Sequence, residues 1–335
     1  MSRNKINALE SLRGFASIYV AVGHWILWNK LNPIFDSLFK FGTEAVTTFF
    51  LLSGFVIFYS TLKSSDINLK DYFIRRFRRI YFPFVCAIIV SIAIYQSLDI
   101  SLSEFLGNLF LLQDQRRTPG NIVNPFLGNQ PLWSLSYEWI FYLIFPFIFR
   151  AIKNTKRRVH IVGVFSLLSF GIYLLFPNHI LLVFAHFILW WTGLELAEYF
   201  FGDRTLKRCK TLIIYYVLFI ALLAVNWWFN YSSTKVLDLG SYPFLPLRQF
   251  CFAFICLLSV IYLTKATKIL VSRLDIFIKV APISYSIYIL HFPILIQLHI
   301  PVPFFIEIPL KLLLLIGSSY LIEVIWQPKI NKYLK

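Results

Sequence analysis

The sequence predicts an all-α integral membrane protein of about ten transmembrane helices with both termini in the cytoplasm. Three observations lead there: the composition, the lengths of the apolar runs and the placement of Lys and Arg. Of 335 residues, 58% are hydrophobic and 14% charged, where an ordinary soluble domain carries about 25% charged residues. So few charges cannot cover a soluble surface while hiding this much apolar area, which makes lipid the solvent and excludes a soluble enzyme. Ten apolar runs approach the roughly 20 residues that a span requires. Lys and Arg gather in alternate connecting segments, as the positive-inside rule expects.

In chain order the spans are expected at about 14–30, 45–62, 80–98, 132–150, 159–177, 179–200, 211–229, 246–264, 280–300 and 304–326. The first follows Arg13, and Val-Gly-His24-Trp offers no small-x-small cleavage site, so it is a span and not a secretory leader. The second contains Phe49-Phe50-Leu51-Leu52-Ser53-Gly54-Phe55, where small residues among bulky ones suit close helix packing. The third begins after four arginines, and Pro83 is expected in its first turn, where a missing N–H costs little. The stretch 105–112 is too short to cross and is expected on the outer interface. The fourth opens at Pro131, the fifth follows the basic segment Arg150–Arg158, and the seventh follows Arg204–Lys210. The ninth is interrupted near Pro293, and the tenth ends before Lys329.

Assigning the loops alternately to two sides places 25 of the 32 basic residues inside: Arg3 to Arg13, Lys63 to Arg79, Arg150 to Arg158, Arg204 to Lys210, Lys265 to Lys279 and Lys329 to Lys335. That asymmetry accounts for the net charge of +16 without a nucleic-acid partner. Cys86, Cys251 and Cys256 lie in apolar runs and Cys209 in a basic loop, a spacing that gives no secreted disulfide framework. With no fixed-period repeat or low-complexity tract, residues 1–335 read as one polytopic domain with no appended soluble domain.

Ionisable side chains inside spans are costly, so each is a candidate. Arg13 and His24 are eleven residues apart, almost three whole turns, and share a helix face with Ser17 at about 16 Å separation along the axis. They are either a functional pair or an inner-face Arg and a hydrogen-bonded core histidine. Arg75, Arg76, Arg78 and Arg79 offer forked donors suited to phosphates; topology anchoring and anionic-lipid contact are the alternatives. In Pro131-Leu-Trp133-Ser134-Leu-Ser136-Tyr137-Glu138, the carboxylate beside Ser134 and Ser136 could orient or deprotonate a partner, or could pin two helices. Ser284-Tyr285-Ser286-Ile-Tyr288-Ile-Leu-His291-Phe-Pro293 holds a mid-membrane histidine, structural or functional, and Pro293 frees backbone groups. Glu195, Glu198 and Glu323 lie near basic inner segments, where charge pairing suffices. No glycine-rich phosphate loop, zinc-ligand cluster or Gly-x-Ser-x-Gly elbow is present, so no metal is expected.

Together these segments resemble the acyltransferase 3 membrane family. The likeness is carried by Leu12-Arg13-Gly14-Phe15-Ala16 with His24, by Phe49 to Phe55, by Arg76-x-x-Arg79-Ile80 through Pro83, by Trp133 to Glu138 with Phe141-Tyr142, and by Ser284 to Ser286 with His291 and Pro293. It implies a bacterial inner-membrane, multi-pass O-acyltransferase that moves an acyl group, commonly acetyl, from cytoplasmic acetyl-CoA to a hydroxyl of a surface glycan or its lipid-linked precursor. It also implies His24 as the catalytic histidine, Arg13 as its motif partner, and Arg75, Arg76, Arg78 and Arg79 as the donor-binding region; Glu138, entering from the outer side to about the depth of His24, is expected to join them as a catalytic residue. Ser134, Ser136, Tyr137 and His291 are then expected at the substrate, with membrane lipids as surroundings. Where the family reads Gly-Val-Asp or Gly-Val-Glu before the double Phe, this chain has Ala45-Val46-Thr47, and Glu44 lies one turn earlier. The alternative is a transporter of a small molecule or glycan, which should show paired broken helices or symmetry between halves; the sequence has neither.

Overall fold

The computed structural model describes residues 3–30, 32–61, 67–95, 100–152, 155–201, 206–236 and 238–333. Its helices, in order, are α1 (Arg3–Asn29), α2 (Pro33–Phe39), α3 (Gly42–Thr61), α4 (Leu69–Tyr95), α5 (Leu102–Leu109), α6 (Trp133–Ala151) and α7 (Thr155–Leu175). There follow α8 (His179–Phe201), α9 (Lys207–Thr234), α10 (Phe244–Tyr262), α11 (Thr264–Ser272), α12 (Ser284–His291), α13 (Phe304–Tyr320) and α14 (Gln327–Tyr333). Among the described residues no strand forms, and β pairing is confined to an isolated bridge between Gln113 and Val123. The chain is therefore all-α and polytopic, with eight helical stretches among the described residues long and apolar enough to cross a membrane.

The other two expected spans are the ones that carry His24 and His291. α1 is 27 residues long but is interrupted by Arg13, Ser17 and His24. Ala281–Gln297 is apolar but shorter than a span, because α12 passes at Phe292–Gln297 into a π-helical turn and Leu298 is extended. Pro293 has no N–H to give to the carbonyl of Ile289, four residues before it. Asn129 Nδ2 takes that place at 2.9 Å, tying the segment between α5 and α6 to this helix.

Lipid provides no hydrophobic drive between helices, so contact depends on close backbone approach. At the crossing of α3 and α8, a Cβ on Gly54 would lie 2.0 Å from the Trp190 carbonyl oxygen, and one on Gly193 would lie 1.8 Å from that of Leu51. Only glycine fits at either position, which is the packing role expected for the Ser53-Gly54 segment. Along α5, Ser101 caps the first turn by accepting from Glu104 N at 3.1 Å, while Asn108 is buried and holds the segment before α6 through Asn124 O and Phe126 N.

One detail differs from the sequence expectation. Pro83 lies inside α4, not in its first turn, because the helix begins at Leu69 and continues through the arginines. Neighbouring segments brace the helix there: Gln327 Nε2 donates to Arg78 O at 2.9 Å and the Tyr285 hydroxyl to Ile80 O at 3.3 Å. Arg13 lies within α1, nearly three turns from its start. Lys63, Lys153, Arg204 and Lys335, counted among the inner basic residues, lie outside the described residues. The four cysteines are free. Glu195 and Glu198 pair with Arg208 at 3.0 and 3.2 Å.

Candidate active site

A cavity of about 160 Å³ opens among α1, α3, α4, α6 and α12, lined by polar groups from segments far apart in sequence. α1 contributes Glu10 and Arg13, α4 contributes Arg76 and Arg79, α6 contributes Ser134, Glu138 and Tyr142, and α12 contributes Ser284, Tyr285 and Tyr288. Helical spacing explains the selection on α6. Residues 134, 138 and 142 repeat every four positions and face one way, whereas 136 and 137 turn away.

The three cavity arginines differ in how they are held. Arg13 is fixed by Glu10 at 2.7 Å, Ser284 Oγ at 3.1 Å and Ala281 O at 3.0 Å. Arg79 pairs with Glu323 at 2.6 Å and lies over the Tyr285 ring; Glu323 in turn accepts from the Ser286 amide at 3.1 Å. Arg76 sits over the faces of Tyr72 and Tyr142, at 5.7 and 5.6 Å from the ring centres. Its buried Nε has no hydrogen-bond partner among the described residues. Of the remaining expected donor-site residues, Arg75 is exposed and Arg78 reaches Asn331 O on α14 at 2.9 Å. The α4 helix thus turns two of the four guanidiniums into the cavity and two elsewhere.

Facing them, Glu138 receives the Tyr142 hydroxyl at one oxygen. Tyr142 shares a hydrogen bond of 2.8 Å with Ser53 Oγ, to which Trp190 Nε1 donates at 3.1 Å. Trp190, Ser53 and Tyr142 therefore form a line of donors ending on the carboxylate. Sequence inspection identified Glu138 but not this line, because Ser53 and Trp190 come from other helices; the i, i+4 spacing of Glu138 and Tyr142 was the available signal.

The histidines form a second group, outside the cavity lining. His24 Nδ1 lies 2.8 Å from His291 Nε2, with the rings nearly parallel at 18°. Tyr288 joins the two groups: it lines the cavity, its ring centre is 6.1 Å from that of His291, and its hydroxyl is 2.9 Å from Ser134 Oγ. Ser136 is buried and donates to Trp133 O at 2.8 Å. Tyr137 donates to Asp114 at 2.9 Å, where His179 Nδ1 also lies at 3.0 Å, forming a separate buried cluster. Sequence reasoning missed Asp114 and His179, which come from the segment between α5 and α6 and from the start of α8. Glu44, the carboxylate nearest to Thr47, lies in the fork of Arg248 at 2.8 and 2.9 Å and not on the cavity.

Comparison with known proteins gives one family: a model described as an acyltransferase domain matches residues 6–325. The acyltransferase MdmB of Streptomyces mycarofaciens is 29% identical over 166 residues, 46% of this chain and 42% of that protein. Nodulation protein 10 of Rhizobium leguminosarum bv. viciae is 26% identical over 318 residues, 85% of this chain and 82% of that protein. The peptidoglycan O-acetyltransferase OatA of Listeria monocytogenes is 32% identical over 187 residues, 50% of this chain and 28% of that protein. The matches to MdmB and OatA thus span less than half of those proteins. No solved structure matches the chain.

Proposed function

This chain belongs to the acyltransferase 3 family, and on that premise we propose that it is a membrane O-acetyltransferase, moving an acetyl group from acetyl-CoA to a hydroxyl of a surface glycan or its lipid-linked precursor. The proposed location is the bacterial inner membrane. The observation that carries the proposal is the pairing of a cavity with an unpartnered arginine donor, Arg76 Nε, and a nearby histidine pair joined to it through Tyr288.

The cavity residues fit the phosphates of a nucleotide-bearing thioester. Arg13 and Arg79 already satisfy much of their hydrogen bonding within the protein, so they set the positive potential and hold the walls, while Arg76 retains a donor for the ligand. Glu138 keeps one oxygen without a hydrogen-bond partner among the described residues, available to a substrate hydroxyl or amide. The thioester arm extends past Tyr288 toward His24, and the acceptor arrives from the opposite side. His24 takes the proton of the acceptor hydroxyl as its oxygen bonds to the acyl carbon, and returns that proton to sulfur as the carbon–sulfur bond breaks. The products are an O-acetyl ester and a free thiol.

Incubating membranes that contain the protein with radiolabelled acetyl-CoA tests this directly. Label should enter glycan as an alkali-labile ester, and membranes with His24→Gln should give background. Equal labelling with and without the protein would overturn the assignment.

A further inference from the structure

Resting on the acyl transfer proposed above, we propose that His291 is a positioning residue that holds His24 as its Nδ1–H tautomer, leaving His24 Nε2 as the basic nitrogen. Three hydrogen-bonding facts fix the protons in sequence. His291 Nδ1 lies 3.2 Å from the Ile287 carbonyl oxygen. A carbonyl oxygen only accepts, so the proton is on His291 Nδ1. The neutral ring then has a bare lone pair on Nε2, and the nitrogen facing it at 2.8 Å is His24 Nδ1. Two bare nitrogens at that distance repel, so His24 Nδ1 carries a proton and donates it. The remaining nitrogen, His24 Nε2, is bare and has no hydrogen-bond partner among the described residues.

The competing arrangement makes His291 a doubly protonated imidazolium. His291 is fully buried, and no carboxylate is hydrogen-bonded to either ring among the described residues, so an isolated charge there carries a large desolvation cost. The neutral relay wins. It assigns to an imidazole the task that a carboxylate performs in a Ser-His-Asp triad, holding the basic ring in one tautomer and orientation. The backbone supports this: α12 supplies the Ile287 acceptor, and Asn129 secures the carbonyl that Pro293 frees immediately beyond. Burial also separates the two roles. His291 is covered on all sides and cannot meet a substrate, whereas His24 is only partly covered.

The test is nitrogen NMR on the purified full-length protein with ¹⁵N-labelled histidine, the six histidines being assigned by single substitutions. The expected spectrum shows His24 with a protonated Nδ1 and a bare Nε2, and a nitrogen–nitrogen coupling across the hydrogen bond to His291 Nε2. A His24 protonated at Nε2 and bare at Nδ1 would overturn the proposal even if the protein proves to be an acetyltransferase. Conversely, a protein with the expected tautomer but no transfer to any glycan would sink the acyl-transfer assignment alone. In turnover, His291→Leu removes the acceptor and should lower kcat about 10²-fold with KM for acetyl-CoA unchanged. His291→Gln, whose side-chain oxygen can accept the same proton, should recover about tenfold of that loss. A His291→Leu protein with parental kcat would overturn the role, and the spectrum of the unsubstituted protein decides the tautomer even where a variant fails to fold.

Discussion

Tyr142 donates to Glu138, one turn earlier on α6, and is itself the last donor in a line from Trp190 on α8 through Ser53 on α3. The carboxylate is thereby held by a neighbour on its own helix and backed by two other helices, which fixes its free oxygen relative to the arginines across the cavity. Tyr142→Phe removes the direct donor while keeping the ring beneath Arg76. Activity should fall about tenfold, the equivalent of a hydrogen bond to a charged group worth about 1.5 kcal/mol. Glu138→Gln should cost more, about 10²-fold, at normal membrane abundance. Because the two residues share one interaction, the double variant should be no worse than Glu138→Gln alone. Additive losses, measured as kcat/KM, would show that they act separately.

Arg76 is distinguished from its neighbours by a buried Nε that has no hydrogen-bond partner among the described residues. Replacing it with Lys keeps the charge, and hence the orientation of the chain, but removes the fork. KM for the acyl donor should rise about tenfold with expression unchanged, whereas Arg79→Lys should also destabilise the fold, since it disrupts the 2.6 Å pair with Glu323. Steady-state kinetics and thermal melting of the two variants, measured in the same detergent, separate ligand binding from scaffold.

Sidedness follows from the distribution of basic residues and is tested without any assay of activity. In a cysteine-free background, a cysteine replacing Ile122, which is half exposed in the outer loop, should react with a membrane-impermeant thiol reagent in intact spheroplasts. A cysteine replacing the exposed Lys156 should react only after lysis. The reverse pattern would place the termini outside and move the Arg76 cavity away from cytoplasmic donors.

How far the sequence carried depends on the range of the interaction concerned. Spans two to eight and the tenth were legible because apolarity sustained over about 20 residues is a local property. The position of Pro83 was not, because α4 extends beyond the apolar run as an arginine-bearing helix, and a hydropathy boundary is not a helix boundary. Within the site, Ser136 and Tyr137 were grouped with Glu138 by adjacency in the chain, whereas a helix turns about 100° per residue and sends them to other neighbours. The contact between His24 and His291 joins positions 267 apart. Each histidine was visible as a polar residue in an apolar run, but their hydrogen bond is a product of packing.

His24 bears the strictest prediction. As a base or nucleophile it needs an available lone pair, and an amide offers no useful basicity. His24→Gln and His24→Asn both retain a polar group able to hydrogen-bond to His291, so a histidine used only to join α1 to α12 should survive either change with most activity intact. Loss of a general base costs about 10²-fold to 10⁴-fold. Both variants should therefore insert at parental abundance, melt near the parental temperature and acetylate glycan at least about 10²-fold more slowly. Near-parental acetylation by either variant would remove His24 from the chemistry. The proton acceptor would then have to come from the cavity itself, where Glu138 keeps one oxygen without a hydrogen-bond partner among the described residues.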